Sequence, residues 1–175
     1  MNAKKLTFSL LLLGLVATLS AQSVDMSIFK GMTPRNIGPA GMSGRVTAIA
    51  VHPIDIEHFY IGTASGGLWE TTSGGIQFDP IFDKQKVASI GALAIDPQRP
   101  DIIWAGTGEG NPRNSLTGGY GIYKSLDAGK TWKLMGLEAT RHIHRILVNP
   151  NNSDIVYVGA IVSPWAPNEE RGVYR

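Results

Sequence analysis

Ser125-Leu126-Asp127-Ala128-Gly129-Lys130-Thr131-Trp132 is the stretch that decides the fold. It lies between two short apolar runs, Gly121-Ile122-Tyr123-Lys124 and Lys133-Leu134-Met135. Ser and Asp side chains accept hydrogen bonds from backbone N–H groups a few residues on, which closes a turn. Gly129 takes a positive φ at no steric cost. Thr131 and Trp132 favour strands, and the indole has area enough to anchor a hairpin between neighbouring sheets. The stretch therefore reads as a strand, a tight turn and a returning strand, with Ser125, Asp127, Gly129, Thr131 and Trp132 in structural roles.

The hairpin belongs to a repeat. Three apolar runs, 45–53, 89–97 and 142–150, end in His52-Pro53, Asp96-Pro97 and Asn149-Pro150. The prolines are 44 and 53 residues apart. A second strand follows each turn, at 58–63, 102–107 and 155–160. A third follows at 67–70, 121–124 and 172–175. After the first of these, Thr71 to Phe78 is a weaker copy of the hairpin, with Ser73 at the Asp position and Phe78 at the Trp position. Several short strands per unit at this period are the signature of propeller blades. The expected fold is all-β, a β-propeller of four-stranded antiparallel blades: blade 1 over 45–88, blade 2 over 89–141 and an incomplete blade 3 over 142–175. About three blades do not close a propeller, so the chain reads as the amino-terminal fragment of a longer protein, whose remainder is an expected partner.

Residues 1–21 read as a secretory signal peptide: Lys4 and Lys5, an apolar run from Leu6 to Ala17, and small residues up to an expected cleavage after Ala21. About 12 apolar residues are too few to span a bilayer. The expected location is the periplasm, the cell surface or the medium, with no membrane span after cleavage. About 154 residues remain, enough for one domain-sized core. The chain has no cysteine, which excludes disulfides, thiolate metal sites and cysteine catalysis within it. Loss of Lys4 and Lys5 takes the formal charge from +2 to about zero, and no basic stripe for nucleic acid remains. Residues 22–44 form a lead-in segment. Its part from 26 to 32 fits either an extra strand or a loose leader. Its Gly-rich loop, 38–44, lacks the Lys-Ser/Thr of a phosphate loop, so no nucleotide cofactor is expected.

With strands A to D running outward from the axis, loops A–B and C–D share one rim, and loops B–C and D–A share the other. The polar residues His52, Asp96 and Asn149 fall on the first rim as turn initiators. The second rim carries B–C loops of very different length: 64–66, then 109–119, then 163–171. Long polar loops on a rigid scaffold are where binding residues concentrate. The candidate ligand residues are Arg45, Glu109, Arg113, His142 and Trp165. Trp165 offers a stacking platform, and Arg45, Glu109 and Arg113 offer orienting hydrogen bonds. Glycoside hydrolysis needs two carboxylates about 5–9.5 Å apart, and Glu109 with Glu169 or Glu170 is the pair available. The bland reading of these carboxylates is solvated loop charge. His142 and His144 lie two apart, on one face of a strand, without a third ligand, so no metal is expected.

The Ser125–Trp132 pattern resembles the Asp-box of sialidase-type BNR repeats, a structural motif. From Arg35 onward, through 36–45, 62–69 and 125–132, the chain resembles large secreted bacterial Asp-box proteins of the sortilin-N-terminal-domain, glycosyl-hydrolase-like group. That resemblance implies a propeller and either glycan or peptide and protein ligands. It extends to the xyloglucanases of glycoside hydrolase family 74, which carry a catalytic Asp in a Thr-Asp-x-Gly-Gly motif. The matching run here is Thr63-Ala64-Ser65-Gly66-Gly67, and Ala64 stands at the Asp position, which counts against that mechanism. Sialidase chemistry would need an arginine cluster, for which Arg45 is one candidate. Catalytic residues are unassigned and enzyme status stays open. The functional expectation is an exported scaffold that binds glycan or peptide; the alternative is a glycoside hydrolase with its catalytic groups mostly elsewhere.

Overall fold

The structure, a computed structural model, describes residues 25–32, 45–111 and 114–175. The proposed signal peptide, 1–21, lies outside them. The chain divides into two units, Met1–Arg35 and Asn36–Arg175. Of the first, the described part forms a 3-10 turn, Met26–Phe29. Asp25 caps it, accepting from the Ser27 N–H at 2.9 Å and the Ser27 hydroxyl at 2.6 Å. Residues 26–32 are thus a capped turn and not an extra strand: a capping aspartate stabilises helical φ/ψ in the residues that follow it.

The second unit holds eleven strands: β1 (Val46–Val51), β2 (Phe59–Thr63), β3 (Leu68–Thr71), β4 (Asp79–Pro80), β5 (Ile90–Ile95), β6 (Ile103–Thr107), β7 (Ile122–Ser125), β8 (Lys133–Gly136), β9 (His142–Val148), β10 (Val156–Ile161) and β11 (Gly172–Tyr174). They form three antiparallel meanders, β1-β2-β3-β4, β5-β6-β7-β8 and β9-β10-β11. The sheets pack through their first strands, β1 on β5 and β5 on β9.

Two apolar clusters fill the spaces between sheets. Tyr60, Leu68, Phe82, Ile90, Ile103 and Tyr123 lie between the first and second sheets. Trp104, Ile122, Ile143, Ile146 and Val158 lie between the second and third. Every residue of β6 is buried, as a strand covered on both faces requires. Two glycines set the sheet separation. A Cβ at Gly62 would collide with Ile90, and one at Gly106 with Ile143. Each glycine is a hollow into which the next sheet inserts a branched side chain.

The Ser125–Trp132 hairpin joins β7 to β8 as its side chains dictate. The Ser125 hydroxyl donates to Asp127 Oδ1 at 2.8 Å and accepts from the Gly129 N–H at 2.8 Å. Asp127 accepts from the Thr131 N–H and hydroxyl at 2.8 and 2.6 Å. Gly129 has φ +89°. The Trp132 indole N–H donates to the Ile81 carbonyl at 2.8 Å, and the ring meets Phe82 edge-on. The hairpin is therefore pinned to the first sheet. The weaker copy repeats the scheme: Thr71 Oγ1 accepts from the Gly75 N–H at 3.0 Å, and Ser73 Oγ from the Gln77 N–H at 3.0 Å.

Candidate functional site

The two rims differ in how their polar groups are used. On the first, His52 Nδ1, Asp96 Oδ1 and Asn149 Oδ1 each accept from N–H groups two residues on, or two and three. These are the side-chain turns expected of them. Asp96 also accepts from the Ser153 hydroxyl at 2.7 Å, and Gln98 donates to the Pro150 carbonyl at 2.8 Å, which joins the second and third sheets. Burial pushes the Asp96 carboxyl up. The hydrogen bonds from Ser153, from the Gln98 and Arg99 N–H groups and from the Arg99 side chain outweigh that and hold it below its ordinary value.

The opposite rim is built on a repeated latch. Thr63 Oγ1 donates to the Gly67 carbonyl at 2.9 Å and accepts from the Gly66 N–H at 2.8 Å. Thr107 Oγ1 donates to the Gly121 carbonyl at 2.6 Å and accepts from the Tyr120 N–H at 2.7 Å. The threonines pinch both B–C loops at the same place.

That loop begins with Glu109, which has no exposed surface. Its Oε1 accepts from Arg45 Nε at 2.6 Å and from Arg45 Nη2. Its N–H donates to Ser89 Oγ at 3.0 Å. Its Oε2 has no hydrogen-bond partner. His142, buried at the start of β9, interacts with Glu109 through the Glu109 backbone and carboxylate. Burial holds His142 below the ordinary histidine value, Arg141 adds to that, and Glu109 opposes it. Arg45 just before β1, Glu109 in the loop after β6 and His142 at the start of β9, far apart in sequence, meet around the Glu109 carboxylate. Glu109 is a buried ion-pair partner, not the solvated rim carboxylate expected; Arg45 neutralises the charge that burial would otherwise disfavour.

A cavity of about 350 Å³ lies among the first strands of the three sheets. Thr47, Gly91 and His144 line it, with Asn111 and Arg145. The first three residues are repeat-equivalent, each six positions before the turn proline. They are also where the registers β1–β2, β5–β6 and β9–β10 slip, so each inner strand carries a bulge there. Bulges re-aim side chains. Thr47 Oγ1 donates to the Ile90 carbonyl at 2.6 Å, and His144 Nδ1 is buried without a partner. The bulge breaks the alternation that put His142 and His144 on one face: His144 lines the cavity and His142 does not. A Cβ at Gly110 would strike the His144 ring, so the long B–C loop rests directly on it.

Trp165 does not join this cluster. It is exposed on the third B–C loop, where its N–H donates to Ser163 Oγ at 3.2 Å. Arg171 clamps the loop by donating to the Ser163 and Ala166 carbonyls. Glu169 is exposed, and the Glu170 carbonyl accepts from the Tyr174 hydroxyl at 2.6 Å. Arg113 lies outside the described residues. Ala64, at the position of the family-74 Asp, is buried, and its N–H donates to the Arg45 carbonyl at 3.0 Å. Thr47 and Asn111 were missed by sequence reasoning. The signal for Thr47 was there: a non-apolar residue or glycine interrupts each apolar run at the same repeat position.

Two solved structures share this arrangement of sheets. The Niastella koreensis GH74 enzyme matches with TM-score 0.52 and 23% identity over 66% of this chain. An ancestral GH74 enzyme matches with TM-score 0.53 and 23% identity, also over 66% of this chain. The fold is a β-propeller. The three sheets are its blades, with β1, β5 and β9 innermost. The chain spans 17% and 16% of the lengths of those two propeller enzymes. No protein-family model matches the chain, and no curated protein does. Among the described residues no helix is long and apolar enough to cross a membrane.

Proposed function

We propose that this chain is part of an exported Asp-box propeller that binds a glycan or a peptide on the B–C rim, with the cavity between the inner strands as its polar subsite. The observation that carries this reading is the lining of the cavity. Thr47, Asn111, His144 and Arg145 offer hydroxyl, amide, imidazole and guanidinium groups, and His144 Nδ1 is a buried ring nitrogen with no partner. Such convergent polar groups in a preformed hollow fix a polar ligand's orientation. Trp165, on the same rim, adds an exposed aromatic face. Export rests on the leader at 1–21, and the Asp-box identity on the Ser125–Trp132 hydrogen bonds. The sortilin-like reading differs only in giving the rim to a peptide.

Hydrolysis is the second reading, suggested by the GH74 names of the two structural neighbours. Two features of this chain oppose it within these blades. Ala64 replaces the expected acid. Glu109 is fully buried against Arg45, where it has no access to a water or a leaving group.

The test is to probe the exported protein on glycan and peptide arrays while following reducing-sugar release. Binding without release, weakened by Asn111→Ala and His144→Ala, is the expected result. Sugar release would overturn the scaffold reading. A ligand found on only one array fixes the class.

A further inference from the structure

One turn is built three times. At 52–58, 96–102 and 149–155 the first residue's N–H donates to the last residue's carbonyl, at 2.9 Å in each case. The last residue's N–H donates back to the carbonyl of Asp55, Arg99 or Asn152. Only the side chain that closes the turn differs. His52 Nδ1 accepts from the Ile54 and Asp55 N–H groups at 3.4 and 3.2 Å. Asp96 Oδ1 accepts from the Gln98 and Arg99 N–H groups at 2.9 and 3.2 Å. Asn149 Oδ1 accepts from the Asn151 N–H at 2.8 Å.

These three acceptors respond differently to acid. The Asn149 amide does not titrate. Burial pushes the Asp96 carboxyl up, but its hydrogen bonds hold it below its ordinary value, so it stays a carboxylate in mild acid. A neutral imidazole accepts through one nitrogen, and in the cation both nitrogens are donors. A proton on His52 Nδ1 therefore sets a donor against two other donors.

The surroundings of His52 sharpen the contrast. Its ring stacks on His58, with centroids 5.2 Å apart and planes 6° apart. His58 Nε2 lies 2.8 Å from Glu70 Oε1, which also accepts from the Tyr60 hydroxyl at 3.1 Å. Two imidazolium rings at that distance repel. His58 has Glu70 as a counter-charge, whereas the hydrogen bonds of the His52 ring come from the backbone. Asp55 and Glu57 in the turn, Glu70 on β3 and Asp101 beside Tyr60 are the charged groups here. No Lys or Arg occurs between Arg45 and Lys84, so acid is what brings positive charge to this blade. On blade 2 the positions of His58, Tyr60 and Glu70 hold Ile102, Trp104 and Lys124, with Lys124 Nζ 4.7 Å over the Trp104 ring.

We propose that His52 is an acid-sensitive catch: protonation at Nδ1 releases the turn 52–58, while the equivalent turns at 96–102 and 149–155 stay closed. Release frees the tip that carries Ile54, and it loosens the Glu57 carbonyl, which accepts from the Gly74 N–H at 2.9 Å and ties this turn to the one between β3 and β4. The inference is independent of what the opposite rim binds.

Hydrogen–deuterium exchange on the exported protein tests it, with the three turns compared as protection factors at about pH 7.5 and about pH 5.5, on either side of the ordinary histidine value of about 6.5. The expected result is that Ile54 and Asp55 lose protection by roughly tenfold at the lower pH, the scale of a lost hydrogen bond, while the other two turns do not change. His52→Asn and His52→Asp place in the first turn the side chains that close the third and second, and both are expected to abolish the response. His58→Gln leaves the catch in place and is expected to keep the response. Equal loss of protection at all three turns would overturn the proposal, since it reports general loosening. So would a first turn that does not respond, or a response that survives both His52 substitutions or disappears with His58→Gln.

Discussion

Arg45, just before the first blade's inner strand, and Glu109, at the head of the second blade's long loop, form an ion pair across 64 residues of sequence. Glu109 is fully buried and Arg45 partly exposed, so the pair is asymmetric. Removing the arginine leaves a carboxylate without its counter-charge in a water-poor site. Arg45→Met is expected to cost roughly 2–3 kcal/mol in urea unfolding. Adding Glu109→Gln is expected to recover part of that loss, because no buried charge is then left. A double variant less stable than Arg45→Met alone would show that the pair is not the governing interaction.

The Ser125–Trp132 hairpin gives a second expectation. Ser125 is buried and serves the Gly129 N–H and Asp127 together. Ser125→Ala is expected to destabilise by about 1–2 kcal/mol. The Asp127 carboxyl is held below its ordinary value of 3.8 by the Thr131 hydroxyl and N–H, and then by Ser125. A depressed carboxylate contributes stability that is complete above the ordinary value and is lost as pH falls through the lower, folded-state value. Asp127→Asn is therefore expected to flatten the acid limb of stability against pH, and an unaltered limb would remove Asp127 from that role.

At the second blade junction, Gly106→Ala is expected to destabilise by about 1–3 kcal/mol, because its Cβ would collide with Ile143. Ile143→Ala, which removes the Cγ2 methyl at that contact, is expected to lessen the penalty of the added Cβ. A double-variant cycle measures the coupling, and additive effects would place the strain elsewhere.

His142 makes stability pH-dependent in a higher range than Asp127. Its folded-state value lies below the ordinary 6.5, chiefly through burial. The unfolded chain therefore binds the proton first, and stability falls as pH drops from about 6.5 toward the folded-state value. Unfolding followed between pH 7 and pH 5, roughly the histidine range, is expected to show this slope. His142→Gln is expected to remove it, and a slope unchanged by that substitution would assign the titration to another group.

Much of this molecule is local, and that part is legible in the amino-acid sequence by itself. The strand–turn–strand unit depends on near neighbours: Ser125, Asp127, Gly129 and Thr131 satisfy one another's hydrogen bonds within eight residues, and His52, Asp96 and Asn149 close turns onto their own next residues. Recurrence of that unit set the blade architecture, since a sheet that is apolar on both faces needs another sheet on either side. What only the tertiary structure decided depends on register and on contacts between blades. A one-residue bulge turned His144 into the cavity and parted it from His142, and bulges follow from packing that no alternation pattern records. Glu109, read from its loop as a solvated charge, became a fully buried ion-pair partner, because burial of a charge depends on where its counter-charge arrives. Arg45 comes from another blade, and no local pattern in the sequence specifies that meeting.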